Sequence, residues 1–399
     1  MTGGTIEPGF DDLDVEELRK RHTAKWSEHP APVLPAWVAE MDFPIAAPIR
    51  DALIRTAGDA DLGYPFDAGP ARLEVLGADR MSIRFGWRPE PDLGFKITDV
   101  MRGVIHGIVA FAERGDGVAV VTPIYPPFLG AIADNHRVIV EAPLRPIDEG
   151  SALDVDALEA AARRSRVLLW CHPHNPSGRS FTRDELAAVA DIVEANDLIV
   201  VSDEIHADLT FPGHDHVPLA TLSPGVAART FTVTSPSKAF NLAGAKCAVA
   251  YCGSEALLDR YRQSFNPALP GITVFGIAAT RAAWIEGDEW LARCLAYLDG
   301  NRRWFASAVE ECLPAMRHRM PEATYLAWLD ARGLAFECPP AQHFLERGRV
   351  ALSDGAAFGA VGDGFVRVNL ATSRAILEEI VDRMVSCAPP ARATRLARP

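Results

Sequence analysis

One lysine stands in "TSPSKAFNLAG" (234–244), behind Ser235 and Ser237 and ahead of a run of small residues. Lys238 offers a primary amine, a group that bonds aldehydes and, once neutral, takes protons from carbon. Three other short stretches carry groups that could work beside it. "SDEIHADL" (202–209) supplies Asp203 and His206, "PHNPSGR" (173–179) supplies Asn175, and "PIYPPF" (123–128) supplies Tyr125. Taken singly, each has an ordinary reading. Asn175 suits an Asn-Pro turn, Asp203 suits a helix cap, Tyr125 can pack beside its prolines, and Lys238 can sit in solvent.

Taken together, these residues meet the needs of a single cofactor, pyridoxal phosphate. Its aldehyde needs a lysine amine, and its ring nitrogen needs a carboxylate that keeps it protonated, so that the ring accepts electrons. Its phenolic oxygen needs a donor, its face an aromatic ring, and its phosphate a cradle. The four stretches hold candidates for all five requirements.

Residues so far apart in sequence need a fold that gathers them. Four apolar runs do this: "GVAVVTPIY" (117–125), "RVLLWCHPHNP" (166–176), "DLIVVSDEIH" (197–206) and "RTFTVTSPSK" (229–238). Each is rich in Val, Leu, Ile or Thr without clean alternation, the pattern of strands buried on both faces of a largely parallel sheet. Between the second and third, "TRDELAAVADIVEAND" predicts a helix capped by Thr182 with Glu185 three residues on. The runs end at Tyr125, Asn175, Asp203 with His206, and the Ser235–Ser237–Lys238 group. Ligands of open α/β sheets lie beyond the carboxyl ends of the strands, where such residues converge. Farther on, "EWLARCLAYLDGNRRWFASAVEECLP" (289–314) predicts one long helix up to Pro314. "GDGFVRVNLATSRAILEEIVDRMV" predicts a strand followed by a capped helix, and the tail from about 388 is expected to fray.

Bulk properties narrow the class. With 399 residues, more than one core is expected. A formal charge of −13 without a clustered basic patch argues against a nucleic-acid partner. The opening residues lack a basic region followed by an apolar stretch, and no run reaches 18 apolar residues, so neither a secretory signal nor a membrane span is expected. Seven scattered cysteines without any C-x-x-C point to reduced thiols and a cytoplasmic chain. "CHPH" (171–174) and "GHDH" (213–216) have too short a spacing to assign a metal. No G-x-G-x-x-G or Gly-Lys pair supports a nicotinamide or P-loop enzyme. A non-catalytic regulator on the same fold is expected to lose the lysine or gain a DNA-binding extension, and neither is seen.

The chain resembles fold-type I pyridoxal phosphate enzymes of the class I/II aminotransferase superfamily. Within that superfamily it is similar to the cystathionine β-lyase, or C–S lyase, branch often called the MalY/PatB group. The resemblance rests on "WVAEMDF" (37–43), "GYP" (63–65), "PIYPPF", "PHNPSGR", "SDEIHADL", "SPSKAFNLAGAK" (235–246) and "GFVRVNLATSR" (364–374), in the family's order over most of the chain. It implies an α/β architecture, with a large domain built on a mostly parallel sheet and a smaller α/β domain. The division it leads us to expect is 1–47 for an N-terminal arm and part of the small domain, 48–287 for the large domain, and 288–399 for the linking helix and small domain.

The same resemblance implies roles for individual residues. Lys238 is the cofactor-bonding lysine, Asp203 the partner of the ring nitrogen, and Tyr125 the stacking ring. Asn175 and His206 contact the phenolic oxygen. Ser235, Ser237 and Lys246 contact the phosphate, helped by backbone amides around Gly103 and Val104, where a helix is expected to start. Lys246 stands where an arginine is common, so a point charge replaces a bidentate fork. Arg367 grips the substrate α-carboxylate through paired donors. Tyr64 falls where the family reaches across a homodimer interface to the neighbouring cofactor. His172 and His106 depart from the branch pattern. The implied reaction is β-elimination of a thiol from cystathionine or another cysteine S-conjugate, with aminotransfer as the alternative.

Overall fold

The computed structural model describes residues 9–60, 62–266 and 271–389. The expected fraying of the tail falls, from residue 390 on, outside the described residues. Seven strands form the central sheet, in the spatial order Gly94–Ile97, Ala248–Cys252, Thr230–Thr234, Ile199–Asp203, Val167–Cys171, Gly117–Thr122 and Val138–Pro143. The last five run parallel to one another, and only Ala248–Cys252 runs against its neighbours. The four apolar runs therefore form the middle of the sheet, as expected from their lack of alternation.

Burial on both faces explains that lack. All five residues of Val167–Cys171 and all six of Gly117–Thr122 are buried. The helix Val100–Phe111 covers one face through Val104, Ile108 and Phe111, which pack on Val120, Val201 and Phe231. Helices Val155–Ala162 and Arg183–Ala195 cover the other through Leu158, Leu186 and Val189, which pack on Leu168 and Val200. Each such aliphatic side chain contributes about 1.5–3 kcal/mol when fully buried. Crossover helices on both faces are what a parallel sheet requires. The helix Arg183–Ala195 opens with the expected capping box: Glu185 N donates to Thr182 Oγ1 at 3.2 Å, and Thr182 N donates to Glu185 Oε2 at 2.8 Å.

A second, antiparallel sheet has the order Ser353–Asp354, Phe365–Asn369, Leu326–Asp330 and Arg317–His318. It packs with the 25-residue helix Asp288–Cys312 and the helix Arg374–Cys387 around Phe305, Leu329, Val366 and Leu377. The long helix thus runs unbroken through the expected stretch, and Ser373 caps the last helix by accepting from Ile376 N. Leu34 and Pro35 pair with Val350 and Ala351, tying the N-terminal arm to this second unit. That pairing supports the three-part division at 47 and 287 that we propose for the chain. Among the described residues, no helix is long and apolar enough to cross a membrane.

Candidate active site

Four strand ends of the central sheet and the loops that follow them enclose a cavity of about 190 Å³. Tyr125 follows Gly117–Thr122, Cys171 and Asn175 follow or end Val167–Cys171, and Asp203 ends Ile199–Asp203 with Ile205 and His206 just beyond it. Ser237, Lys238 and Lys246 come from the segment after Thr230–Thr234, and Asp99, Val100 and Met101 from the start of a helix. Lys238 and Asp203, distant in sequence, face one space.

A strap of non-repetitive chain, residues 37–43, closes the cavity at Ala39. Lys238 Nζ donates to the Ala39 carbonyl at 2.7 Å, and the buried Tyr325 hydroxyl donates to the same oxygen at 3.0 Å. Side chains hold the other strap carbonyls as well. Asn369 Nδ2 donates to Val38 O and Glu40 O at 2.7 and 2.6 Å. Asn241 Nδ2 donates to Met41 O and Phe43 O at 2.9 and 3.2 Å. Such extended chain has no ladder of its own, so side chains must satisfy its buried polar groups. Beneath it, Lys25 and Asp42 form an ion pair of 2.8 Å, each side chain only 1% exposed.

Arg367 is buried and planar donors radiate from it. Nη1 donates to Asn175 Oδ1 at 2.9 Å, and Nη2 donates to Trp37 O at 2.8 Å and Ser353 Oγ at 3.1 Å. Its guanidinium lies 4.9 Å from the centre of the Phe358 ring. The arginine thus sits between Asn175, at the cavity wall, and the strap that also receives Lys238.

Burial shifts the titrating groups here towards their neutral forms. Burial pushes the Asp203 carboxyl up to about 7, against the opposing pull of the Ile205 amide and the Lys238 charge. Burial, then the charge of Arg367, brings the Lys238 amine down to about 8. Burial holds His206 down at about 3, so its imidazole is neutral at physiological pH. Arg367 is lowered by burial to about 10 and stays charged. The cavity accordingly holds a lysine poised to lose its proton beside a carboxyl poised to lose its own.

Not every expected residue lines this space. Ser235 stands one step behind Ser237: its hydroxyl lies 2.6 Å from Ser237 Oγ and donates to Cys247 O at 2.7 Å. Lys246 reaches the cavity while its amine pairs with Asp99 Oδ2 at 3.1 Å. The expectation for Gly103 and Val104 needs correction. The helix begins at Val100, one turn earlier, and Gly103 N already donates to Asp99 O at 3.1 Å. The donors left open at the helix start are those of Val100 and Met101, which do line the cavity. Gly103 is glycine for packing, since a Cβ there meets Ile97 Cδ1 and Val233 Cγ1 at 2.5 Å. Tyr64 lies outside this cavity and is wholly exposed. His172 and His106 do not line the cavity either. His172 Nε2 accepts from Phe181 N at 3.0 Å, and His106 stacks on Phe265 with Nδ1 2.9 Å from the Tyr261 hydroxyl.

The family model described as aminotransferase class I and II matches residues 102–384. The chain belongs to that family. A cystathionine β-lyase of Corynebacterium glutamicum is 34% identical, over 94% of this chain and 98% of its own. Cystathionine β-lyase PatB of Bacillus subtilis is also 34% identical, over 88% of this chain and 91% of its own. The crystal structure of cystalysin from Treponema denticola, which contains a pyridoxal 5′-phosphate cofactor, superposes with a TM-score of 0.87 at 30% identity, covering 92% of this chain and 96% of its own.

Within this aminotransferase-family fold, the roles of Ala39 and Tyr325 were invisible to motif reasoning. "WVAEMDF" was part of the resemblance, yet the working group at its centre is a backbone carbonyl, which any residue supplies. Tyr325 lies in the stretch "ATYLAWLD", whose apolar character reads as core, and its hydroxyl is the one polar feature that marks it. A buried tyrosine hydroxyl needs a partner, and that requirement is the signal that could have found it.

Proposed function

We propose that this protein is a pyridoxal 5′-phosphate-dependent β-lyase that expels a thiol from cystathionine or another cysteine S-conjugate, leaving pyruvate and ammonia. The observation that carries the reading is that Lys238, Asp203 and Tyr125 line one small cavity. The lining fits the cofactor. Asp203 is a buried carboxyl whose Oδ1 accepts from Ile205 N at 2.9 Å, and the buried Nδ1 of His206 has no partner among the described residues. The helix start at Val100 and Met101, with Ser237 and Lys246, supplies donors of the kind a phosphate requires. When bound, pyridoxal phosphate supplies a ring that accepts electrons from the substrate Cα.

The remaining work belongs to side chains. Arg367 presents paired donors to the substrate carboxylate, displacing the carbonyl and amide oxygens it now holds. Lys238 in its neutral form takes the Cα proton, and a lowered proton affinity keeps a useful share of it neutral near pH 8. Loss of the Cβ–sulfur bond then releases the thiolate, which takes up a proton. Hydrolysis of the remaining fragment gives pyruvate and ammonia.

The substrate is a small molecule. A homodimer is part of the same proposal, supported by the outward placement of Tyr64 beside the exposed Phe66. A cytoplasmic location is supported by seven cysteines that are all unpaired. Incubating the purified protein with L-cystathionine tests the function: pyruvate, ammonia and homocysteine are expected without any added keto acid. A strict requirement for a keto acid, with no ammonia released, replaces this reading with an aminotransferase.

A further inference from the structure

The turn that carries Asn175 meets the second unit at both of its ends. At the start, Asn175 Oδ1 accepts from Arg367 Nη1 at 2.9 Å. At the end, Arg179 Nε donates to Glu322 Oε2 at 3.2 Å, and Ser180 N donates to the same oxygen at 3.0 Å. Between them, the Gly178 carbonyl accepts from Glu322 N and Ala323 N at 2.8 and 2.9 Å. The backbones lie so close that a Cβ on Gly178 would meet Pro321 Cβ at 2.5 Å, and its φ of +69° also suits glycine.

Residues 321–325 carry the chain into the second sheet. They run directly into Leu326–Asp330, where Trp328 pairs with Arg367. On their other side, Phe211 N donates to Glu322 O at 3.0 Å and Thr324 N donates to Leu209 O at 2.8 Å. Arg179 and Glu322 are both buried, and buried charges are costly unless well partnered. Arg179 spreads its remaining donors over Glu185 Oε2 at 2.7 Å and Ser151 O at 3.1 Å, while Glu322 Oε1 accepts from Arg319. Neither Arg179 nor Glu322 is among the described residues that line the cavity. The reaction outlined above leaves both without a task.

Together these contacts close a circuit: from Arg179 to Glu322, through the paired strands to Arg367, across to Asn175, and along the turn back to Arg179. A substrate carboxylate that takes over the Arg367 fork opens this circuit at Asn175. The Arg179–Glu322 end keeps the turn and the second sheet together at that moment. We propose that Arg179 and Glu322 are positioning residues for Arg367, their buried ion pair holding the second sheet in register with the cavity once the substrate has displaced Asn175. This rests on the proposed pyridoxal phosphate chemistry and on Arg367 as its carboxylate site.

The test is a double-mutant cycle between Glu322 and Arg367, read by binding rather than by turnover. The probe is L-alanine, which has the α-carboxylate but no leaving group, titrated into holoprotein and followed by visible absorbance. Glu322→Ala is expected to raise the Kd for L-alanine about tenfold, within the range that coupled residues show. Retention of pyridoxal phosphate in equilibrium dialysis is expected to stay within about twofold, as for sites that do not interact. In an Arg367→Lys background, where no fork remains to be placed, the same substitution is expected to change the Kd by less than about twofold. Glu322→Gln keeps an acceptor for Ser180 N and is expected to weaken L-alanine binding by a smaller factor; its cycle decides the matter if Glu322→Ala does not fold. The inference is overturned by unchanged L-alanine affinity, by an equal loss of cofactor and L-alanine, or by an effect that persists in full with Arg367→Lys. Wild-type protein that retains no cofactor, or holoprotein that gives no response to L-alanine, overturns the proposed function itself.

Discussion

Lys238 Nζ and the Tyr325 hydroxyl donate to one acceptor, the Ala39 carbonyl, at 2.7 and 3.0 Å. The free amine is thus docked at a fixed point of the strap, in surroundings that lower its proton affinity to about 8 through burial and the charge of Arg367. Only the neutral amine attacks an aldehyde. The rate at which cofactor-free protein develops visible absorbance on mixing with pyridoxal phosphate is therefore expected to rise with pH through about 8, over two units below an ordinary lysine. Lys238→Ala is expected to show no covalent adduct by mass after borohydride reduction. A midpoint above pH 10 counts against the docked, desolvated amine.

Asp203 is expected to trade stability for chemistry. Its folded proton affinity, about 7, exceeds the ordinary value of 3.8 because burial disfavours the anion. Between those values the folded chain binds more protons than the unfolded one, so its stability falls as pH rises through the window. In cofactor-free protein, Asp203→Asn is expected to raise the melting temperature at pH 8, with a gain that shrinks towards pH 4. The same variant loses the partner of the ring nitrogen, and turnover is expected to drop on the order of 100-fold or more. A variant that is destabilised at pH 8 contradicts the assignment of Asp203 as a buried, strained anion.

Arg367 separates binding from chemistry. Its two terminal nitrogens reach Asn175, Trp37 and Ser353 in one plane, which a lysine cannot reproduce. Arg367→Lys keeps the charge and loses the fork. The KM for L-cystathionine is expected to rise roughly 10- to 100-fold, the equivalent of about 1.4–2.8 kcal/mol, with a smaller change in kcat. Steady-state kinetics at fixed pH check this, and an unchanged KM removes Arg367 from the carboxylate site.

Much of this was legible in the sequence because it depended on side-chain type and local pattern. The non-alternating runs around Val167 and Ile199 became central strands, and Thr182 with Glu185 marked a helix start, since caps and burial act within a few residues. Lys238, Asp203, Asn175 and His206 converged because strand ends in a parallel sheet point one way. The helix Val100–Phe111 starts one turn before Gly103 and Val104, the pair whose amides the resemblance placed at the helix start. The real constraint on Gly103 is the approach of Ile97 and Val233, a tertiary contact with no local signature. The strap escaped for the same reason, its function resting on the Ala39 carbonyl. Buried carboxyls such as Glu204 look like solvated surface until packing is known.

The pair beneath the strap links stability to the site. Lys25 and Asp42 are both 1% exposed and 2.8 Å apart, Lys25 Nζ also donates to Glu40 O at 3.2 Å, and Trp26 Nε1 donates to Asp42 Oδ1 at 2.6 Å. These contacts flank Ala39, so the arm that carries Lys25 fixes the carbonyl on which Lys238 rests. Removing one partner of a buried pair leaves the other uncompensated. Lys25→Met is accordingly expected to lose about 3–5 kcal/mol in denaturant unfolding. The double variant Lys25→Met with Asp42→Leu removes both charges and is expected to recover much of that loss. If the strap is what docks the lysine, the recovered double variant still shows an altered pH midpoint for amine reactivity, because its hold on Glu40 is gone. Recovery of stability together with a wild-type midpoint instead assigns Lys25 and Asp42 to folding alone.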